Sequence, residues 1–201
     1  MAVSKSKAAA EEPNRRAEIV RAAGRLFHEK GYPGTTIRDI AGAVGMRSGS
    51  PFYHFKTKQD MLGAVVLEGM LAIHEAVAKV ATSGKSPQVT FEAMLHAHLN
   101  QLLGEEGQDF AATLLHESRH LDSKVSDEVV ILKDRYELMW QKALKDLKRA
   151  GLIVDDSTVA RLFLMGMLNW TVQWYRPDGS KSVAQIARQL AGFVIRARAK
   201  D

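Results

Sequence analysis

The pattern in this chain best suited to covalent chemistry is His116-Glu117-Ser118-Arg119-His120, a literal H-E-x-x-H. On an α-helix that spacing puts two imidazoles on one face, where they can hold zinc while the glutamate acts as general base. No third ligand is evident, Arg119 would set a cation beside the metal, and Leu121-Asp122-Ser123 ends the helix at once. His96 and His98, two residues apart, point to different faces of their helix and make a poor metal pair. The absence of cysteine removes disulfides, thiol catalysis and thiolate metal sites, which fits a reducing cytoplasm. A small zinc-dependent hydrolase built on His116 and His120 therefore stands only as the alternative reading. No catalytic residue, metal or cofactor is expected on the main one.

A second cluster carries recognition chemistry instead. Arg47, Ser48, Ser50, Tyr53 and His54 crowd donors and acceptors into eight residues, as suits an element lying in the major groove of DNA. The residues before them read as a helix and a turn. Thr36 with Asp39 is a capping box; Ile37, Ile40, Ala41 and Val44 then make one apolar face, and Gly45 can end that helix in a left-handed conformation. Residues 36–55 thus form a helix-turn-helix. Thr36 and Lys58 are expected to anchor phosphates, while Tyr53 reads base edges or phosphates. Pro51 is tolerated in the first turn of the second helix, which is expected to begin near Ser50.

Charge points the same way. Residues 1–60 hold 11 Lys and Arg against 6 Asp and Glu, whereas residues 61–201 hold 17 of each, so the whole net charge of +5 lies in the first part. A basic module joined to a neutral one is the footprint of a part that neutralises phosphates beside one that does not.

Gly31-Tyr32, Thr35 through Ala41, Gly45 and Phe52-Tyr53-His54-Phe55-Lys56-Thr57-Lys58 closely resemble the DNA-binding signature of the TetR family of one-component transcriptional repressors. Pro51 and the Arg47-Ser48 pair depart from the family's usual pattern. The resemblance implies an N-terminal three-helix head and dimerisation through the last two helices. Leu168-Asn169-Trp170-Thr171-Val172-Gln173-Trp174-Tyr175-Arg176-Pro177-Asp178-Gly179 resembles a stretch in those members that regulate fatty-acid and steroid breakdown, several of which respond to acyl-CoA thioesters.

The elements that must position these residues read as helices throughout. The fold class expected is all-α: a helix-turn-helix head and a C-terminal helical ligand-binding and dimerisation bundle, about nine helices in all. Residues 1–12 read as a disordered basic arm, 13–56 as the DNA-binding domain and 57–201 as the ligand-binding and dimerisation domain. Helix spans are expected at 14–30, 58–82, 87–103, 108–121, 126–150, 156–175 and 182–198. The helix at 156–175 is apolar nearly all round, so it must be covered on two sides. Leu168, Val172, Ile186, Leu190 and Val194 are the expected dimer contacts. Met94, Phe110, Tyr136, Met139, Trp140, Met167 and Trp170 are large apolar groups on helices expected to converge on a small apolar effector, with His98, Asn169 and Trp174 to orient it. The partners expected are a double-stranded operator, that effector, in the simplest case an acyl-CoA, and a second copy of the chain. No stretch reads as long and apolar enough to cross a bilayer, no signal peptide is evident, and a cytoplasmic location is expected.

Overall fold

A computed structural model describes residues 2–195, apart from the side chains of residues 2–14, Glu105 and Leu115. Among these the chain forms eight α-helices: α1 (Ala2–Gly34), α2 (Ile37–Ala43), α3 (Lys58–Ala81), α4 (Pro87–Leu103), α5 (Glu105–Glu117), α6 (Ser123–Arg149), α7 (Thr158–Trp174) and α8 (Val183–Val194). Two 3-10 turns, Ser50–Tyr53 and Ser118–His120, complete the regular structure. The bounds of α1 take in residues 2–12, expected as an arm, and Gly31 interrupts it with φ 73° and ψ 160°, a backbone that only glycine adopts cheaply. The end of the last expected helix, beyond residue 195, lies outside the described residues.

Helix starts follow local chemistry. Thr36 and Asp39 close the expected capping box at α2, and Thr57 with Asp60 close another at α3. A third box, Ser182 with Gln185, opens α8. The turn after α2 is made by Gly45, at φ 66°, with the Met46 amide donating to the Ala41 carbonyl at 2.8 Å.

The chain packs as two compact units. The first runs to Gly69 and includes Asp109–Val129; the second comprises Met70–Gln108 and the chain from Val130 on. The core of the first is built from Ile19, Ala23 and Phe27 of α1, Ile40 of α2, Phe55, and Met61, Leu62 and Val65 of α3. Glycine lets its helices cross closely: a Cβ at Gly69 would stand 2.3 Å from the Phe110 ring, and one at Gly63 would stand 3.1 Å from Val125. In the second unit α4 packs against α7 and α8, burying Phe91, Leu95, Leu99, Trp140, Leu144 and Leu168. By length and composition α3 could cross a bilayer, which corrects the expectation that no stretch could. Its apolar run instead serves a core, since every residue of Met61–Val66 is buried.

Candidate nucleic-acid interface and effector cavity

The expected second helix of the DNA-reading motif is only a 3-10 turn, Ser50–Tyr53, so that expectation is corrected. Its composition explains this. Gly45, Ser48, Gly49, Ser50 and Pro51 fall within seven residues, glycine costs a helix about 1 kcal/mol relative to alanine, and proline removes a donor. The turn is still firmly placed. Pro51 is buried, the Phe55 amide donates to the Pro51 carbonyl at 2.9 Å, and the buried Phe55 ring lies 5.0 Å beneath the Arg16 guanidinium.

Around that anchor the polar residues look outward. Tyr53 is 91% exposed, Arg47 and Ser48 are exposed, and Ser50 and His54 are half-buried. Thr36 is exposed, but its hydroxyl bonds the Asp39 carboxylate at 2.6 Å, and these bonds hold the Asp39 carboxyl below its usual range. The Lys58 ammonium donates to the Tyr32 carbonyl at 2.7 Å and the Thr35 carbonyl at 2.8 Å, and sits 4.2 Å over the Tyr32 ring. Two of its three donors are therefore spent tying the start of α3 to the chain between α1 and α2. Sequence reasoning passed over Arg38 and Lys56, both exposed cations within residues 36–58; the signal was their place beside Asp39 and Phe55.

The H-E-x-x-H pattern does not lie on one helix. α5 ends at Glu117, and Ser118–His120 is a 3-10 turn, so the four-residue spacing no longer aligns the two imidazoles. His116 is exposed, while His120 stacks on Tyr32 with ring centroids 5.1 Å apart, and Gln59 donates to the His120 carbonyl at 3.0 Å. Among the described residues no three His, Asp or Glu side chains gather as a metal site.

Of the expected effector residues, the second unit brings four into one cluster. His98 Nδ1 lies 2.5 Å from the Tyr136 hydroxyl, the His98 and Trp140 rings meet edge to face at 6.1 Å, and Met94, one turn before His98, is buried beside them on α4. Burial pushes the His98 pKa down to about 4, so the ring is neutral near pH 7, and it pushes the Tyr136 hydroxyl up. The Trp140 indole approaches Tyr136 without hydrogen-bond geometry, leaving Trp140 Nε1 and His98 Nε2 unpartnered among the described atoms. Next to this cluster, Met94 and Met139 line a cavity of about 430 Å³ between α3, α4 and α6, with Ala78, Ala81 and Ala143. Lys85 and Lys142 stand at its exposed edge.

The other expected effector residues are elsewhere. Phe110 packs on Gly69 in the first unit, and Met167 is half-buried on α7. Asn169, Trp170 and Trp174 are exposed on α7, Trp170 by 66% and Trp174 by 50%. Among the expected dimer contacts Leu168 and Ile186 are buried within the subunit, whereas Val172, Leu190 and Val194 are half-buried. The large apolar side chains bare on these two helices are Val159, Leu162 and Phe163 with the two tryptophans of α7, and Phe193 of α8, none of them among the expected dimer contacts.

Comparison with known proteins accounts for both halves. The family model for bacterial regulatory proteins of the tetR family matches residues 19–65, and the tetracyclin repressor-like C-terminal domain matches residues 84–197. The chain is 29% identical over 187 residues to the transcriptional repressor KstR2 of Rhodococcus jostii, covering 90% of this chain and 89% of that one. The regulator PfmR of Thermus thermophilus superposes with a TM-score of 0.80 at 27% identity, covering 90% of this chain and 99% of its own. AibR, solved with isovaleryl coenzyme A and operator DNA, superposes at 0.78 with 27% identity, covering 90% and 97%. A head that presents Arg47 and Tyr53, a helical second unit and these matches lead to one assignment: the chain belongs to the TetR family of bacterial transcriptional regulators.

Proposed function

We propose that this protein is a homodimeric, cytoplasmic repressor that leaves a near-palindromic operator when a small apolar effector, an acyl-CoA thioester, binds it. The observation that carries the DNA half is Tyr53, 91% exposed on a turn anchored by Pro51 and Phe55, within the basic first part of the chain. A large side chain held out from a rigid base suits contact with base edges or phosphates. Residues 13–56 form the reading head in this proposal, and residues 57–201 the ligand-binding and dimerisation part.

Two roles shift from the sequence reading. Lys58 acts as a positioning residue, because its ammonium already ties Tyr32 and Thr35 together; Lys56 and Arg38 take over phosphate contact. Trp170 and Trp174 belong to the subunit interface rather than to the effector site. The effector half draws on the repertoire of relatives: AibR was solved with isovaleryl coenzyme A, and KstR2 is a repressor. Effector and operator need only favour different arrangements of one dimer, since a ligand shifts an equilibrium by its differential affinity for the two states.

The test is selection of bound sequences from a random duplex pool, followed by mobility shift on the enriched site. A two-fold symmetric site with half-sites about one helical turn apart is expected. Tyr53→Ala should lose discrimination between this site and a scrambled one, and Lys56→Ala should weaken both alike and lower the salt slope by about 1. Enrichment of no symmetric site would overturn the proposal.

A further inference from the structure

Two residues of the H-E-x-x-H pattern, Glu117 and His120, bracket a break in α1. Gly31 leaves helical geometry there with φ 73° and ψ 160°, and Tyr32 follows it. A Cβ at Gly31 would stand 3.4 Å from Glu117 Oε1, so the glutamate that ends α5 packs against the break itself. The His120 ring stacks on Tyr32, centroid to centroid, at 5.1 Å.

Stability alone does not account for this arrangement. Glu117 is 7% exposed, its Oε2 has no hydrogen-bond partner among the described atoms, and His120 Nε2 lies 3.6 Å away. A carboxylate buried short of partners lowers stability rather than adding to it. The contacts around Tyr32 are better made. Lys58 donates to the Tyr32 and Thr35 carbonyls at 2.7 and 2.8 Å, and its ammonium stands 4.2 Å over the Tyr32 ring, which Phe27 meets at 5.4 Å. Gln59 donates to the His120 carbonyl at 3.0 Å and ties the turn Ser118–His120 to the start of α3. The chain after Gly31 is thus gripped from α1, from α3 and from that turn, all within the first compact unit.

Glycine at positive φ lets a chain bend at little cost, and the reading residues from Thr36 to Tyr53 all follow this one. We propose that Glu117 and His120 are positioning residues for operator binding: they clamp Gly31 and Tyr32, and so fix the pitch of α2 and the reading turn against α1. The proposal rests on the symmetric-operator reading above and adds what sets the half-site spacing that the protein accepts. One base pair displaces a half-site by roughly 3.4 Å along the DNA axis, so slack at the break is read out as tolerance of wrong spacings.

The experiment is mobility shift of the full-length protein on its selected operator and on versions with one or two base pairs added or removed between the half-sites. The unaltered protein should prefer one spacing. His120→Ala should reduce that preference by about two- to tenfold, the size of one aromatic contact, and leave the salt slope unchanged because no phosphate contact is lost. His120→Phe keeps a ring on Tyr32 and should restore the preference. Tyr32→Leu should act like His120→Ala, and the two together should do no more than either alone, since both remove the same contact. Gln59→Ala, which releases the His120 carbonyl without touching a ring, should shift the profile in the same direction. Thermal melts confirm that each variant is folded. A spacing profile left intact by His120→Ala and Gln59→Ala, or lost as fully in His120→Phe, would overturn the clamp and spare the operator reading. No preferred spacing in the unaltered protein would overturn both.

Discussion

His98 makes the stability of this chain depend on pH. Its imidazole is buried and neutral, with a pKa near 4 against 6.5 for a free histidine, because charge cannot be solvated there. Between those values the unfolded chain binds a proton that the folded chain does not, so stability rises with pH and falls on acidification. The full loss from pH 7 to below pH 4 is on the order of 3 kcal/mol for this residue. His98→Gln should flatten that dependence: chemical denaturation of both proteins at pH 7 and pH 5 should show a smaller drop for the variant. An equal drop in the two would put the acid sensitivity elsewhere. At Gly49 the converse holds. It has right-handed helical φ and ψ of −88° and −12°, and a Cβ there would meet nothing within 4 Å, so Gly49→Ala should add about 0.4–1 kcal/mol of stability by restricting the unfolded chain. The same change lengthens helical order in the reading turn, so operator affinity, measured alongside, reports whether the 3-10 geometry is needed for binding.

Helix crossings decide the next scale. α3 and α5 approach within the first unit at Gly69, where the Phe110 ring occupies the place a side chain would take. Gly69→Ala should therefore destabilise the protein by about 1–3 kcal/mol, through overpacking that the rigid ring cannot relieve, and Gly69→Ala with Phe110→Leu should recover part of it. Thermal melts of the single and double variants measure this; equal destabilisation by both would mean the contact is loose. Nothing in the sequence announces the crossing. In sequence, a large aromatic on an amphipathic helix, such as Phe110, looks the same whether it fills an effector pocket, as expected, or a glycine notch, as found. Helix limits were far more legible: α4 begins and ends at the residues expected, since Pro87 and Gly104 punctuate it. The family resemblance implies a helix at the reading turn, but five poor helix formers there leave only the 3-10 turn Ser50–Tyr53. On α7, composition could not tell Leu168 from Trp170. The helix is apolar all round, so periodicity carries no inward direction, and only packing against α4 reveals that Leu168 is buried and Trp170 is bare.

At the scale of the whole molecule, the large aromatic side chains left in water on α7 and α8 bear on its assembly. Phe163 is 71% exposed, Trp170 66%, Trp174 50% and Phe193 79%. Each such ring can bury roughly 150–250 Å², so four of them approach the scale of about 800 Å² that each partner contributes to a stable interface. Left in water, that area costs about 25 cal/mol per Å². In the proposed homodimer a second copy of the chain would cover this surface, with a two-fold axis pairing each patch with itself and giving two reading turns for two half-sites. Trp170→Asp should therefore give a folded monomer: helical circular dichroism unchanged, half the mass by light scattering, and operator binding lost because a single head cannot span both half-sites. Leu168→Asp, two residues away but fully buried inside the subunit, should instead unfold the protein. The pair separates interface from core. Trp170→Asp that remained dimeric, or Leu168→Asp that remained folded, would place the interface on another face of the molecule.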